Sequence, residues 1–163
     1  MIALGGTFNV QCVGSDGRQK WQTLAHNMVV DVGIQHILDI IFTGAGGQVS
    51  TWYVGVGDEN PAVASTDTMG SHGGWTEFSE YSEGARQAWV ETRSGNGLSN
   101  SGSKAAFSIN ASSTAGGAFL TSNSTVSGTE GTLMCFASFT AGNQSVESGD
   151  TLNVQYDFSG ADA

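Results

Sequence analysis

A mainly β fold is what the sequence predicts: a two-layer antiparallel β-sandwich or barrel-like structure of about eight or nine strands carrying one packed α-helix. Three observations predict it. The segment Thr151 to Phe158 alternates strictly, with Leu152, Val154, Tyr156 and Phe158 on one side and Thr151, Asn153, Gln155 and Asp157 on the other, as a strand with one buried face must. Leu133 to Phe139 is almost continuously apolar, the pattern of a central strand covered on both sides. The connecting stretches are built from Gly, Ser, Asn and Thr, with 24 glycines against a single proline, Pro61.

The remaining elements follow in chain order. Phe8, Val10 and Cys12 share one side of Thr7 to Val13, and Ser15-Asp16-Gly17 offers turn chemistry before a second run, Lys20 to Ala25, so a β-hairpin is expected with Trp21 packing across it. A helix over about 31–42 is predicted from Ile34, Ile37, Leu38 and Ile41, spaced by three and four, with Asp31 placed to cap it and Thr43-Gly44 placed to end it. Ile40 and Phe42 widen its apolar face, so the helix should be deeply packed against a sheet. Thr51 to Val56 reads as a buried strand. The long polar stretch Gly57 to Gly74 after it is expected to be a partner-contacting arm, because loops of that length in compact domains tend to be functional. Trp75 to Phe78 and Gln87 to Thr92 read as weaker strands, and Ala105, Phe107 and Ile109 alternate as a stronger one. Gly117 to Thr121 is a short apolar strand. The spacers Ser94 to Ser103, Ser112 to Gly117 and Ser122 to Gly131 read as loops. No composition break divides residues 1–163, which are expected to form one domain, with 1–6 a flexible N-terminal arm.

Fifteen acidic residues against five basic ones give a net charge of −10, and Arg18, Lys20, Arg86, Arg93 and Lys104 are scattered. Each phosphate contact needs a cation, so neither nucleic acid nor an anionic membrane is an expected partner. No apolar run approaches the ~20 residues of a membrane-spanning helix, and Met1 to Gly6 lacks the basic start and apolar core of a signal peptide, so synthesis in the cytoplasm is expected. Cys12 and Cys135 lie far apart in sequence and read as two buried thiols, with a bridge between them the alternative.

No catalytic, cofactor-binding or metal-ligating residues are expected. A Gly-x-Ser-x-Gly elbow is missing, and His26, His36 and His72 have no local partners that would build a triad. His36 reads as a polar residue on the helix flank, since no ligand type stands four residues on. Pairs such as Asp58 with Glu59, or Glu80 with Glu83, read as solvated acids. Asp58-Glu59-Asn60 lacks the spaced carboxylates of a calcium loop, and Gly44-Ala45-Gly46-Gly47 lacks the ending of a phosphate loop. Asn110, Asn123 and Asn143 each open a glycosylation triplet and read as loop residues. Trp75 and Trp89 flank the long polar region and would suit a carbohydrate platform, although large aromatics on strands are more often core.

Several blocks occur in a fixed order across nearly the whole chain: Asp16 to Trp21, His26 to Asp39, Trp52-Tyr53-Val54-Gly55-Val56, Ala64 to Glu77, Gly116 to Leu120, and Ser148 to Leu152. Together they resemble the blocks of a family of small structural proteins encoded by tailed phages and prophages. The resemblance implies a virion protein without catalytic residues or cofactors. It implies a capsid cement or decoration protein, bound to the outer surface of the head and clamping neighbouring copies of the major capsid protein as a dimer or trimer. A tail or fibre component is the structural alternative, and a carbohydrate-binding β-module the non-structural one.

Overall fold

The computed structural model describes residues 2–59 and 61–162. Its strands are β1 (Ile2–Val13), β2 (Gln19–His26), β3 (Met28–Val29), β4 (Tyr53–Gly57), β5 (Gln87–Ala88), β6 (Thr92–Ser94), β7 (Gly97–Ser99), β8 (Ala105–Ser108), β9 (Ser113–Ala115), β10 (Gly117–Thr121), β11 (Leu133–Ser138), β12 (Gln144–Val146) and β13 (Thr151–Asp162). One helix, α1 (Asp31–Leu38), runs directly into a π-helical turn at Asp39–Thr43. Short two- and three-residue strands account for the excess over the expected eight or nine. Three of them, β6, β7 and β9, fall wholly or partly in Gly/Ser/Asn-rich stretches that read as loops.

All strand pairs are antiparallel, and the fold is a β-sandwich whose sheets do not close into a barrel. The first sheet has the order β2-β1-β13-β7-β6, with β8 also pairing β13, and the second β3-β11-β10-β4-β5. Between them lie Phe8, Val10, Cys12, Leu152, Val154 and Tyr156 from the first sheet, against Val54, Val56, Ala118, Leu120, Cys135 and Ala137 from the second. Each of these is buried, so the alternation read in β1 and β13 is the inward face of one layer. The hairpin is as expected, with Gly17 adopting the left-handed φ of 79° that its turn requires.

β13 changes partners part-way along. It pairs β8 up to Val154 and β7 from Asp157, and the buried Asn100 side chain spans the gap. Asn100 Oδ1 accepts from the Tyr156 N–H at 2.7 Å, while its Nδ2 donates to the Val154 carbonyl at 3.1 Å. A side-chain amide thus replaces a missing strand residue and pairs both of these buried backbone groups.

Three expectations about the chain's projecting parts are corrected. From Ile2 onward the segment expected as an arm, 1–6, is paired with β13 as far as Ile2 opposite Asp162; Met1 lies outside the described residues. Gly57 to Gly74 is no free arm either, because both of its ends are tied together. The Ala62 N–H donates to the Gly74 carbonyl, Asp58 N–H donates to Thr76, and Gly57 bridges Glu77; Asn60 lies outside the described residues. Met69 from this loop and Trp75 just beyond it pack with Val30, Phe119, Leu133 and Phe136 on the outer face of the second sheet. The loop therefore acts as a third layer, which accounts for β10 and β11 being apolar on both faces. Asp67 fixes it internally by accepting from Trp75 Nε1 at 3.0 Å and from the Ala64 N–H. Trp75 to Phe78 consequently forms only the single bridge at Glu77, not a strand.

The helix is the third correction. Val30, not Asp31, occupies the N-cap position and gives no side-chain cap. Instead the Val30 N–H donates to the Met134 carbonyl and the Asp31 N–H to Ser65. Gly33 lies so close to β11 that a Cβ there would stand 2.4 Å from the Met134 carbonyl oxygen. Gly44, at φ 66°, ends the π-helical turn by donating to Asp39, as the sequence leads one to expect. Deep packing does not follow, however, for Gly33 is the one buried residue of α1 and the π-helical turn contributes none.

Candidate interaction surface

The chain's buried charges are engaged in holding structure. Arg86, 2% exposed, and Glu77, 9% exposed, form a bidentate pair with both N–O distances at 2.8 Å. Arg86 also donates to the carbonyls of Asn123 and Gly128, Glu77 accepts from the Ser127 N–H at 2.7 Å, and the guanidinium lies 5.4 Å from the centre of the Phe119 ring. Two stretches remote in sequence, 77–86 and 119–128, are joined there, and no spacing in the sequence announced the pair.

A second network joins β2 to the turn before β13. Lys20 Nζ meets Glu147 at 2.7 Å and Asp150 at 2.9 Å, and Asp150 accepts from the Glu147 N–H. Burial acts to raise the Asp150 carboxyl, but Lys20, that N–H and the Cys12 thiol together hold it below its ordinary value. Cys12 and Cys135 are both buried and unbridged, as expected. Burial first, and for Cys12 the neighbouring Asp150 carboxylate next, pushes Cys12 up to about 12; burial pushes Cys135 up to about 11, against hydrogen bonds to Tyr156 and Asn27 that lower it.

A raised thiol keeps its proton in the folded state where the unfolded chain has lost it. The resulting stabilisation is complete below the unfolded value of 9.0 and is lost as pH rises through about 11 and 12. Melting temperature is expected to hold to about pH 8.5 and then fall, each thiol contributing a slope of up to about 1.4 kcal/mol per pH unit. Cys12→Ala and Cys135→Ala should each flatten the decline, which calorimetry across that range measures.

The histidines are dispersed. His26 Nδ1 lies 3.1 Å from Thr7 Oγ1 at the surface, and His72 stacks on Trp75 with ring centres 3.7 Å apart. His36 is a half-buried residue set edge-on against Trp52, more enclosed than a polar flank position. Among the described residues no group of three or more His, Cys, Asp or Glu side chains stands together to hold a metal. Glu83 accepts from the Ser108 N–H and Asp58 from the Glu59 N–H, so these acids fix local backbone. Trp75 and Trp89 are buried, and their rings offer no exposed carbohydrate platform.

Along the helix the molecule leaves an apolar surface open. Ile34, Leu38 and Phe42 stand exposed along α1 and its π-helical extension, with Phe42 77% exposed and Ile41 at the mouth of a cavity. The inner side is apolar as well: Ile37 packs onto the core. Beneath it a cavity of about 460 Å³ is lined by Leu4, Ile37, Ile41, Leu98 and Phe158, with Arg93 and Asn96 at its polar margin. Two smaller cavities, of about 260 and 120 Å³, share Ile37 and Leu98 with it and reach Trp52, Trp89 and Met134. The helix lies over an incompletely filled apolar groove and turns a second apolar face outward.

Comparison of the chain with protein-family models, curated proteins and solved structures finds no match. Periodicity did reveal that this helix is apolar around most of its circumference. It could not reveal that only one side would be covered by the chain itself.

Proposed function

We propose that the protein is a non-catalytic structural component of a tailed-phage virion, a capsid cement or decoration protein that binds the outer surface of the assembled head and stabilises contacts between major capsid subunits. The observation that carries an assembly role is the uncovered apolar surface along Ile34 to Phe42, on a chain whose buried ion pair is wholly engaged in tying its own segments together. Soluble monomers rarely leave a large contiguous apolar patch unless it meets something. The capsid as the partner is supported by the ordered blocks between Asp16 and Leu152 that resemble a phage structural family.

The net charge of −10 suits display at high density, because like charges on the remaining surface oppose clustering. A preformed module that binds only the expanded head stabilises that state by mass action, and many copies need only modest individual affinity. The purified protein, incubated with expanded and unexpanded heads assembled from a tailed-phage major capsid protein, is expected to co-sediment saturably with the expanded form. Equal binding to both forms would remove the clamp mechanism, and recovery only with isolated tails would favour the tail alternative.

A further inference from the structure

The uncovered face carries a projection and a cavity side by side. Ile41 lines the 460 Å³ cavity, and the next residue, Phe42, stands out beside it with 77% of its surface free. We propose that this face is a two-fold interface on which a second copy of the chain docks, with Phe42 of each copy entering the cavity beside Leu4 and Phe158 of the other.

Three features favour a second copy over another occupant. The first is shape: a two-fold contact requires one surface to be complementary to itself, and a knob adjacent to a hole satisfies that requirement in a closed, non-polymerising way. The second is area. Leu4, Ile34, Leu38, Ile40, Ile41 and Phe42 are between 37% and 77% exposed. Large side chains carry ~150–250 Å² each, so the six expose on the order of 600 Å². That is close to the ~800 Å² per partner of a standard stable interface, and at the upper limit of apolar patches left on monomers. The third is charge. No carboxylate lines the cavity and Arg93 stands at its margin, so on chains of −10 the site that Phe42 enters is itself free of acids. The inference does not depend on capsid binding and is tested on the free protein.

Sedimentation of the wild-type chain from roughly micromolar to 100 µM should show a dimer. Phe42→Asp is expected to raise the dissociation constant at least about 30-fold, as loss of a central aromatic anchor does, and, at dilutions where both proteins are monomeric, to keep the wild-type melting temperature because Phe42 contributes little to the core. Leu24→Asp, an exposed apolar position on β2 away from this face, should remain dimeric. A mixture of Phe42→Cys and Asn96→Cys chains, oxidised, should yield the cross-linked heterodimer, since Asn96 lines the cavity and the native thiols are buried. A wild-type monomer throughout that range, a dimer indifferent to Phe42→Asp, a trimer or open-ended polymer, or absence of the Phe42→Cys/Asn96→Cys cross-link would each overturn the proposal.

Discussion

Replacing Arg86 with methionine should lower the free energy of unfolding by about 3–5 kcal/mol, the range seen when one partner of a buried ion pair is removed. The guanidinium satisfies four acceptors at once: both oxygens of Glu77 and the carbonyls of Asn123 and Gly128. Arg86→Met leaves the Glu77 carboxylate buried, with Ser127 N–H as its remaining hydrogen-bond donor, and strips the two part-buried carbonyls of their partner. Glu77→Gln should be milder, because the two carbonyls still hold Arg86 and an amide oxygen can still accept. The double variant Glu77→Leu/Arg86→Met removes the stranded charge but not the stranded carbonyls, so it should recover only part of the loss. Urea unfolding measures all three, with a shifted midpoint and an unchanged slope as the expected signature. A loss under about 1 kcal/mol for Arg86→Met would mean that the loops at Asn123 and Gly128 hold themselves without the guanidinium.

The same cluster marks the limit of what the sequence could disclose. Where one face of a strand meets the core and the other meets water, period-two alternation is written directly into the chain, and β1, β8 and β13 were legible for that reason. β11 was legible as doubly covered, since a strand that is apolar at every position needs cover on both faces. The cover itself was not. Gly57 to Gly74 is polar along most of its length and stays attached through Met69, the partly buried Val63 and the Ser65 carbonyl that accepts from Asp31 N–H, with Trp75 just beyond its end. Two or three anchor points in eighteen residues have no period. Arg86 and Glu77 lie in a region of short bridges and turns, where no regular element predicts which side chains converge.

The helix shows a different limit. Its apolar residues were identified correctly, and Gly44 ended it as expected, but a helix apolar around most of its circumference implies only that something covers each apolar side. Here the chain covers one side, through Gly33 against Met134 and Ile37 against the core. The π-helical turn that follows swings Ile41 and Phe42 outward. A similar division holds for the candidate surface as a whole: Leu4, Leu98 and Phe158 come from strands distant in sequence, and only the register of β1 and β7 on β13 brings them to one cavity.

Gly55→Ala should destabilise the fold by about 3 kcal/mol, at the upper end for added methyl groups in a filled core. On the outer face of the second sheet three glycines take no side chain because phenylalanine rings lie across them: Phe119 covers Gly55, and Phe136 covers Gly57 and Gly117. Phe119 stands directly opposite Gly55 in the β10–β4 pairing, and a Cβ at Gly55 would fall 2.1 Å from the end of its ring. The ring has nowhere to go. It is held from outside by Trp75, 5.1 Å between centres, and it forms the surface on which the Arg86 guanidinium rests. Displacing it therefore disturbs the third layer and the buried ion pair together, so Gly55→Ala and Arg86→Met should combine to less than the sum of their separate effects. Phe119→Leu, which shortens the obstructing group, should partly rescue Gly55→Ala while weakening the wild-type background. A Gly55→Ala variant as stable as wild type would mean that the Phe119 ring can leave Gly55 freely, and that the loop Gly57 to Gly74 is not clamped to the sheet through it.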